Sequence, residues 1–326
     1  MRGSGGVATV APGAGILTMP ATDSPETVVI VNPNSGNEDH TDAVQSRTEI
    51  LGYAYRETAA AGDAIEFARE AAEAGVSTVV AAGGDGTVNE VLRGVDEADA
   101  FEEVTFGVVP AGTGNSFAGN IGVESIEHAF DVLENGRRRR IDLGRTDESL
   151  FVNSCIAGLT AEASGDTSSD MKSRFGVLAY VVSTLRSVSE FEALPLSVDA
   201  YDGGGETTGW EGDALMVLVG NARRFVRGDD TQADVEDGEF EVTVVEDVSA
   251  MDVMGEAVSS GLFAADSEHV QRFRAPALDI TLQESDTIRF SLDGEILTRQ
   301  SLTVRTDPGA VEVAVGDSYQ PDPGEP

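Results

Sequence analysis

Two glycine-rich turns, each directly after an apolar run, constrain this chain most strongly. The first is GGDGT at residues 83–87, after the run 78–82, and the second is PAGTGN at residues 110–115, after the run 104–109. Each run is typical of a buried strand, and a helical pattern follows each turn. Because glycine lets backbone N–H groups approach an anion closely, two such turns on one sheet could clasp a polyphosphate. This pattern predicts a nucleotide-dependent kinase.

The first part of the chain alternates strands and helices. Strands are predicted at 28–31, 78–82 and 104–109, and helices at 39–51, 64–74, 126–134 and around Val88, Val91, Leu92 and Val95. Such alternation predicts an α/β fold with a parallel, doubly wound sheet that binds ligands at the carboxyl ends of its strands. Both glycine-rich turns stand at such ends.

After residue 141 the pattern changes to many short strands, which predicts a β-sandwich-like domain. The predicted strands are 150–157, 213–221, 238–245, 277–282, 287–292, 301–305 and 311–315, with helices at 169–191 and 251–263. We therefore expect a nucleotide-binding domain at 25–144 and a β-rich substrate domain at 145–318. The Gly-, Ala- and Pro-rich residues 1–24 and the tail 319–326 are expected to be unstructured, and Met19 is an alternative start.

The charge and composition of the chain disfavour several classes of function. The 58 Asp and Glu residues against 21 Lys and Arg give a net charge of −37, which disfavours nucleic-acid binding. The acids lie along periodic, foldable segments, so we expect a salt-adapted cytoplasmic protein, from a halophilic archaeon. No apolar stretch is long enough for a transmembrane helix. One cysteine and three histidines support neither a Cys/His zinc site nor a catalytic triad.

Asp85 is unusual because it lies inside a phosphate-binding type of turn. A carboxylate among N–H donors would repel an anion unless a hard cation such as Mg²⁺ lies between them. The alternative is a glycine turn with a solvated aspartate. Similarly, NPNSG at residues 32–36 follows the first strand and could be an ordinary turn or a third glycine loop at the same sheet edge.

Together these motifs resemble the catalytic domain of diacylglycerol kinase-type lipid kinases, closest to the soluble microbial branch and more distantly to sphingosine and ceramide kinases. The resemblance rests on N-P-x-S-G from residue 32, G-G-D-G-T-x-N-E from 83 and P-x-G-T-G-N-x-F-A from 110. It continues through IDLG from 141, Asn153, Gly158, GN from 220, DG from 237 and DGE from 293. It implies a two-domain fold with the active site in the cleft, ATP as donor, Mg²⁺ and a lipid hydroxyl as acceptor.

The resemblance also implies roles for individual residues. Asp293 matches the general base, and Asp85 belongs to the nucleotide and metal network. Residues implied around the nucleotide are Asn32, Ser35, Gly36, Gly83, Gly84, Gly86, Thr87, Glu90, Gly112, Thr113, Asn115 and Glu295. Residues implied at metal sites are Asp85, Asp142, Glu236 and Asp237. One departure is Ser116, where bacterial members usually have an aspartate, so the metal network lacks one carboxylate.

Several alternatives stay open. Asp293-Gly294 and Asp237-Gly238 are also common hairpin turns. The apolar residues of 169–191 could be core or an acyl-chain wall, and the arginines 137–140 could lead into a strand or contact anionic headgroups.

An NAD kinase shares the first loop, and a non-catalytic nucleotide-binding regulator is a third class. We expect a lipid substrate at the membrane surface. The lipid's identity and homodimer formation are left open.

Overall fold

A computed structural model describes residues 26–36, 40–158, 193–201, 207–225, 232–247, 269–284 and 286–323. The predicted helices at 169–191 and 251–263, with their apolar residues, lie outside these residues. None of the helices in the described ranges is long and apolar enough to cross a membrane.

The predicted doubly wound sheet is confirmed. Its parallel strands stand in the order β4-β3-β1-β2, with bounds β1 Thr27–Val31, β2 Ala54–Glu57, β3 Thr78–Gly83 and β4 Thr105–Pro110. The helices α1 His40–Leu51, α2 Asp63–Glu73 and α3 Asp85–Glu97 connect these strands, and α4 Ser116–Asn120 and α5 Ile126–Asn135 follow β4. The strands are almost continuously buried, as expected of a parallel sheet covered by helices.

Antiparallel strands form the remainder of the described chain. They are β5 Arg137–Arg145, β6 Leu150–Phe151, β7 Ser154–Gly158, β8 Leu194–Tyr201, β9 Thr207–Gly220, β10 Phe240–Glu246, β11 Val270–Ala275, β12 Ala277–Leu282, β13 Ile288–Leu292, β14 Glu295–Arg299 and β15 Ser301–Val315. Alternate residues of these strands surround a second core, which includes the stacked rings of Phe151 and Phe240. This is the expected β-sandwich-like part.

The last strand joins the two parts. Strand β15 pairs with β12 at its start and runs parallel to β4 at its end, where Glu312 is the partner of Thr105. Its final residues, from Val311 to Val315, pack in the core of the parallel sheet. The two segments predicted at 301–305 and 311–315 are therefore one strand, and the chain returns to its first core.

Other differences concern short or polar elements. Strand β2, helix α4 and strands β8, β11 and β14 were not predicted, and the segment predicted at 150–157 is two strands. Strand β14, on the hairpin β13–β14, has only two apolar residues and is mostly exposed. The sequence of such a strand gives a weak prediction, because its extended conformation depends on pairing with a neighbouring strand.

Candidate active site

Three loops meet at the carboxyl ends of β1, β3 and β4. A Cβ atom on Gly112 would lie 2.3 Å from the Cα of Gly84, and one on Gly36 would lie 2.5 Å from the carbonyl oxygen of Ala111. The side-chain amide of Asn32 donates to Thr87 Oγ1 at 3.3 Å. The backbones of the loops are therefore in direct contact, as the sequence predicted, and glycine is required where they touch.

The third loop is held by its own asparagine. Asn115 adopts a left-handed backbone with φ of 43°, and its side chain bridges the amide and carbonyl of Gly112 at 2.8 and 2.7 Å. Asparagine tolerates this conformation better than most residues. Thr113 and Gly114, at the tip of the loop, are exposed to solvent.

Asp85 connects the second loop to the third. Its carboxylate accepts hydrogen bonds from the backbone amides of Ser116 and Phe117 at 3.0 and 2.9 Å. These are the first two amides of α4, so Asp85 caps that helix while it begins α3 itself. Asp85 therefore has a structural role that the sequence did not predict, and no basic side chain pairs with it within the described residues.

The resemblance implies Mg²⁺, and the surroundings of Asp85 fit a cation. Asn153 Nδ2 donates to Asp85 Oδ1 at 3.3 Å, and Asn153 Oδ1 is buried without a hydrogen-bond partner. A carboxylate beside an unpartnered amide oxygen is an oxygen donor set of the kind that Mg²⁺ prefers, completed by water and phosphate. Asp85 and Asn153 are therefore the residues that would hold it.

Asp293 lies at the turn of the β13–β14 hairpin. With Gly294 it forms the two-residue connection, and both have positive φ, 49° and 103°. The hairpin alternative is therefore correct. It does not exclude a role in the site, because the carboxylate points away from its own hairpin and toward the segment 152–154.

Backbone amides surround the Asp293 carboxylate. Val152 donates at 2.7 Å, Ser154 at 2.8 Å, and Asn153 donates to both oxygens at 3.0 and 3.2 Å. Asn89 of α3 adds a side-chain contact at 3.4 Å. The C-terminal hairpin thus reaches the helix that begins with the GGDGT loop, and Asn153 contacts both acids.

Burial raises the pKa of Asp293 to about 6, although the amides of Val152, Ser154 and Asn153 act to lower it. The negative charge of Asp85 raises it further. The cause is desolvation, which disfavours the charged form of any carboxyl group. A carboxylate with a pKa near 6 is ionised at neutral pH and is a stronger base than an exposed aspartate.

Glu295, two residues beyond the turn, forms an ion pair with Arg93 of α3 at 2.7 Å and accepts from the Ser149 hydroxyl at 3.3 Å. Burial raises the pKa of Glu90, and the positive charge of Arg93 opposes this rise. Glu90 and Glu295 also interact electrostatically. These residues connect the hairpin to α3.

Asp142 lies beside the segment that carries Glu236 and Asp237, and no contact joins it to Asp85 within the described residues. Asp142 is buried, and its carboxylate accepts from the amides of Gly238 and Gly309, both at 2.7 Å. Burial raises the pKa of Asp142, and the acids that act on it are Asp234 and Glu236 rather than Asp85. No group of three or more acidic, His or Cys side chains converges as a metal site within the described ranges.

Glu236 and Asp237 have protein partners already. Glu236 pairs with Arg139 and accepts from the Tyr319 hydroxyl at 2.8 Å. Asp237 lies 3.4 Å from Arg274, and partial burial raises its pKa to about 6. Neighbouring strands bring these arginines beside the two carboxylates, and the cation implied there stays a prediction.

The arginines 137–140 lie on β5, so the strand alternative is correct. Arg137 donates to the carbonyls of Gly316 and Tyr319, and Arg140 donates to those of Gly309 and Ala310. Arg138 donates to carbonyls at the end of α5, the usual position for a basic residue. With Arg139 bound to Glu236, all four guanidinium groups have partners inside the protein.

Sequence reasoning missed the asparagines that organise the site. Asn89 and Asn153 contact the acids, and Asn221 donates to the carbonyls of Asp142 and Val152, both at 2.8 Å. All three belong to the motifs quoted above. The signal available in the sequence was an asparagine beside apolar residues that are expected to be buried.

Both parts of the chain match known protein families. Residues 26–146 match the diacylglycerol kinase catalytic domain, and residues 153–315 match the YegS C-terminal NAD kinase beta sandwich-like domain. A protein from Yersinia pestis (strain Pestoides F), named "Probable lipid kinase YegS-like", is 30% identical over 88% of this chain and 96% of its own. The chain belongs to the YegS-like lipid kinase family.

One further relative and two solved structures are similar to this chain. A YegS-like relative from Yersinia enterocolitica is 29% identical over 88% of this chain and 96% of its own. A solved structure from Bacillus anthracis str. Sterne superposes with a TM-score of 0.73 at 22% identity, covering 92% of this chain and 98% of the other. Another from that organism, described as a diacylglycerol kinase, has a TM-score of 0.67. At these identities the structures show the fold alone. Relatives from Yersinia and Bacillus give no support to the expected archaeal origin.

Proposed function

We propose that this YegS-like protein is an ATP-dependent lipid kinase that transfers the γ-phosphoryl group of ATP to a lipid hydroxyl. The acceptor is a diacylglycerol-like lipid, an archaeal-type diether lipid or another lipid alcohol. The observation that supports this most is the hydrogen-bonded connection from Asp85 through Asn153 to Asp293. It places a basic carboxylate of the β13–β14 hairpin beside the glycine loops.

In this proposal the lipid hydroxyl oxygen attacks the γ-phosphorus, and the bond between that phosphorus and the bridging oxygen of ADP breaks. The hydroxyl proton passes to Asp293, whose carboxylate the amides of 152–154 hold in position. The amides of the glycine loops bind the phosphates, together with Asn32 and Thr87. Mg²⁺, when held by Asp85 and Asn153, supplies charge neutralisation at the phosphate oxygens.

Domain limits and location are part of the proposal. We assign the nucleotide-binding unit to residues 25–144 and the lipid-substrate unit to residues 145–318, with the exception of the segment 311–315, which packs in the first core. The protein would meet its lipid at the cytoplasmic membrane face, and the four bonded arginines of β5 make a poor headgroup contact.

Salt adaptation rests on the net charge of −37. If the acidic surface requires screening, the melting temperature will rise as KCl increases from about 0.1 M to 2 M, where the Debye length falls from about 10 Å to below 3 Å. A melting temperature that is constant across this range would contradict salt adaptation. It would leave the kinase proposal unaffected, because the two depend on different residues.

The test of function uses labelled ATP with a panel of lipid alcohols, with NAD and with no acceptor, at low and high KCl. Label transferred to a lipid, dependent on both Mg²⁺ and Asp293, would support the proposal. Label on NAD alone would indicate an NAD kinase, and nucleotide binding without transfer to any acceptor would indicate a regulator.

A further inference from the structure

Arg223 is a charged side chain in the candidate site that no part of the proposed mechanism uses. Its Nε is buried and has no hydrogen-bond partner, and the described acids form no ion pair with it. Arg223 is half-buried, and a guanidinium nitrogen that has lost water without gaining a hydrogen-bond partner is costly. An anionic ligand would supply the acceptor that this nitrogen lacks.

The backbone fixes Arg223 to both parts of the molecule. Directly before it, the amide of Ala222 donates to Val152 at 3.0 Å, and its carbonyl accepts from the side chain of Asn120 in α4 at 2.8 Å. Val152 is one of the residues whose amides hold Asp293. Arg223 therefore follows a segment that is bonded to the third glycine loop's helix and to the base-holding segment.

Two other observations describe its surroundings. The guanidinium carbon lies 5.7 Å from the centre of the Phe225 ring, within the range of a cation–π contact that orients the group. Burial lowers the pKa of Arg223, and the charges of Asp85 and Asp293 oppose that change. The charges of both candidate catalytic acids therefore act on the guanidinium, although neither acid forms an ion pair with it.

We infer that Arg223 binds the γ-phosphoryl group of the nucleotide and stabilises its charge during transfer, an inference that rests on the proposed function. Guanidinium presents planar N–H donors that match phosphate oxygens, which a lysine cannot reproduce. Its charge would offset the repulsion between an incoming polyphosphate and the carboxylates of Asp85 and Asp293, whose charges act on it. The loops alone provide no side chain of positive charge.

The experiment compares Arg223→Met and Arg223→Lys with wild type and with Arg289→Met. Arg289 is an exposed arginine of β13, so its replacement controls for the loss of one positive charge. Titration calorimetry measures the affinity for ADP and for a non-hydrolysable ATP analogue, and kcat and KM are measured with a lipid acceptor. Melting temperatures show that each variant is folded.

For Arg223→Met we expect ADP affinity within about threefold of wild type and a loss of about tenfold for the ATP analogue, because only the latter has a γ-phosphate. We expect kcat to fall on the order of 10³-fold, as for arginines that stabilise phosphoryl transfer. Arg223→Lys should recover less than a tenth of the lost rate. Arg289→Met should change none of these values more than about twofold.

Equal losses of affinity for ADP and for the ATP analogue, which leave the ratio of the two affinities unchanged, would overturn the inference. A lipid headgroup phosphate is another source of the same chemistry. If Arg223→Met raised KM only for lipids with a headgroup phosphate and left the nucleotide ratio unchanged, the γ-phosphoryl assignment would be overturned. If wild type phosphorylated no lipid, the proposed function would fail, but the nucleotide ratio would still decide the role of Arg223.

Discussion

Two groups of carboxylates in this protein have opposite surroundings. Asp85 and Asp293 are held by backbone amides and asparagines, and among the described residues neither pairs with a basic side chain. Glu236 and Asp237, which the resemblance implies at a metal site, face Arg139 and Arg274. Amides position a carboxylate without neutralising it, whereas an ion pair removes most of its capacity to act on a ligand. The first group is therefore suited to chemistry and the second to structure.

Replacing Asp85 tests the first group most severely. Asp85→Ala should lower lipid phosphorylation by roughly 10⁴-fold, because it removes a charge at the metal position and also the cap of α4. The measurement is the transfer rate with saturating ATP. Since Asp85 accepts two α4 amides, we also expect a lower melting temperature. Activity within a few-fold of wild type would remove Asp85 from the site.

Asp293→Asn separates the base from the turn. Asn-Gly also forms a two-residue hairpin turn, so the sequence alone would predict an intact fold. The structure predicts a cost in stability, because the new amide group would direct donors at the donating N–H groups of 152–154, each unsatisfied donor costing about 1–3 kcal/mol. We expect turnover to fall about 10³-fold, within the usual range for a positioned base.

The control for Asp293→Asn is ADP affinity at a temperature where the variant is folded. Affinity close to wild type with a greatly reduced rate would confirm a chemical role. If the folded variant kept its rate, the Asp293 carboxylate would be a structural acceptor only, and the difference between the two groups of acids would disappear.

The pH dependence of the rate tests whether the Asp293 carboxylate is the base. Asp293 must be ionised to accept a proton, and its pKa is raised to about 6. The rate should therefore rise about tenfold per pH unit below 6 and level off above it. The measurement is kcat between pH 4.5 and pH 8, on wild type and on Asp293→Asn, which should lack this step. A profile without an inflection near pH 6 in wild type would contradict the assignment.

Glu236→Gln should have the smallest effect. It weakens the contact with the partly exposed Arg139 and the contact with Tyr319, so we expect a loss of about 0.5–1 kcal/mol in the free energy of unfolding. Activity and Mg²⁺ dependence should change less than about threefold. Denaturant unfolding and a Mg²⁺ titration check both. A large loss of Mg²⁺ affinity would restore Glu236 to the metal set and erase the contrast.

The order of elements in the first part of the fold could be predicted, because burial on both faces of a parallel strand leaves long apolar runs, and glycine turns mark their ends. The position of Asp293 at a hairpin turn was equally visible. What could not be predicted was the direction of its carboxylate. The amides of 152–154 and Asn89 lie about 140 to 204 residues away along the chain.

The sequence by itself determined the glycine loops, the doubly wound sheet, the β-rich second part and the acids that could do chemistry. Local periodicity and the conformational needs of turns encode these features. Only the tertiary structure decided which acids remain without a basic partner, that Asp85 caps α4, that β15 returns to the first core and that the charges of Asp85 and Asp293 act on Arg223. These depend on side chains from distant segments, and burial and charge act through space rather than along the chain.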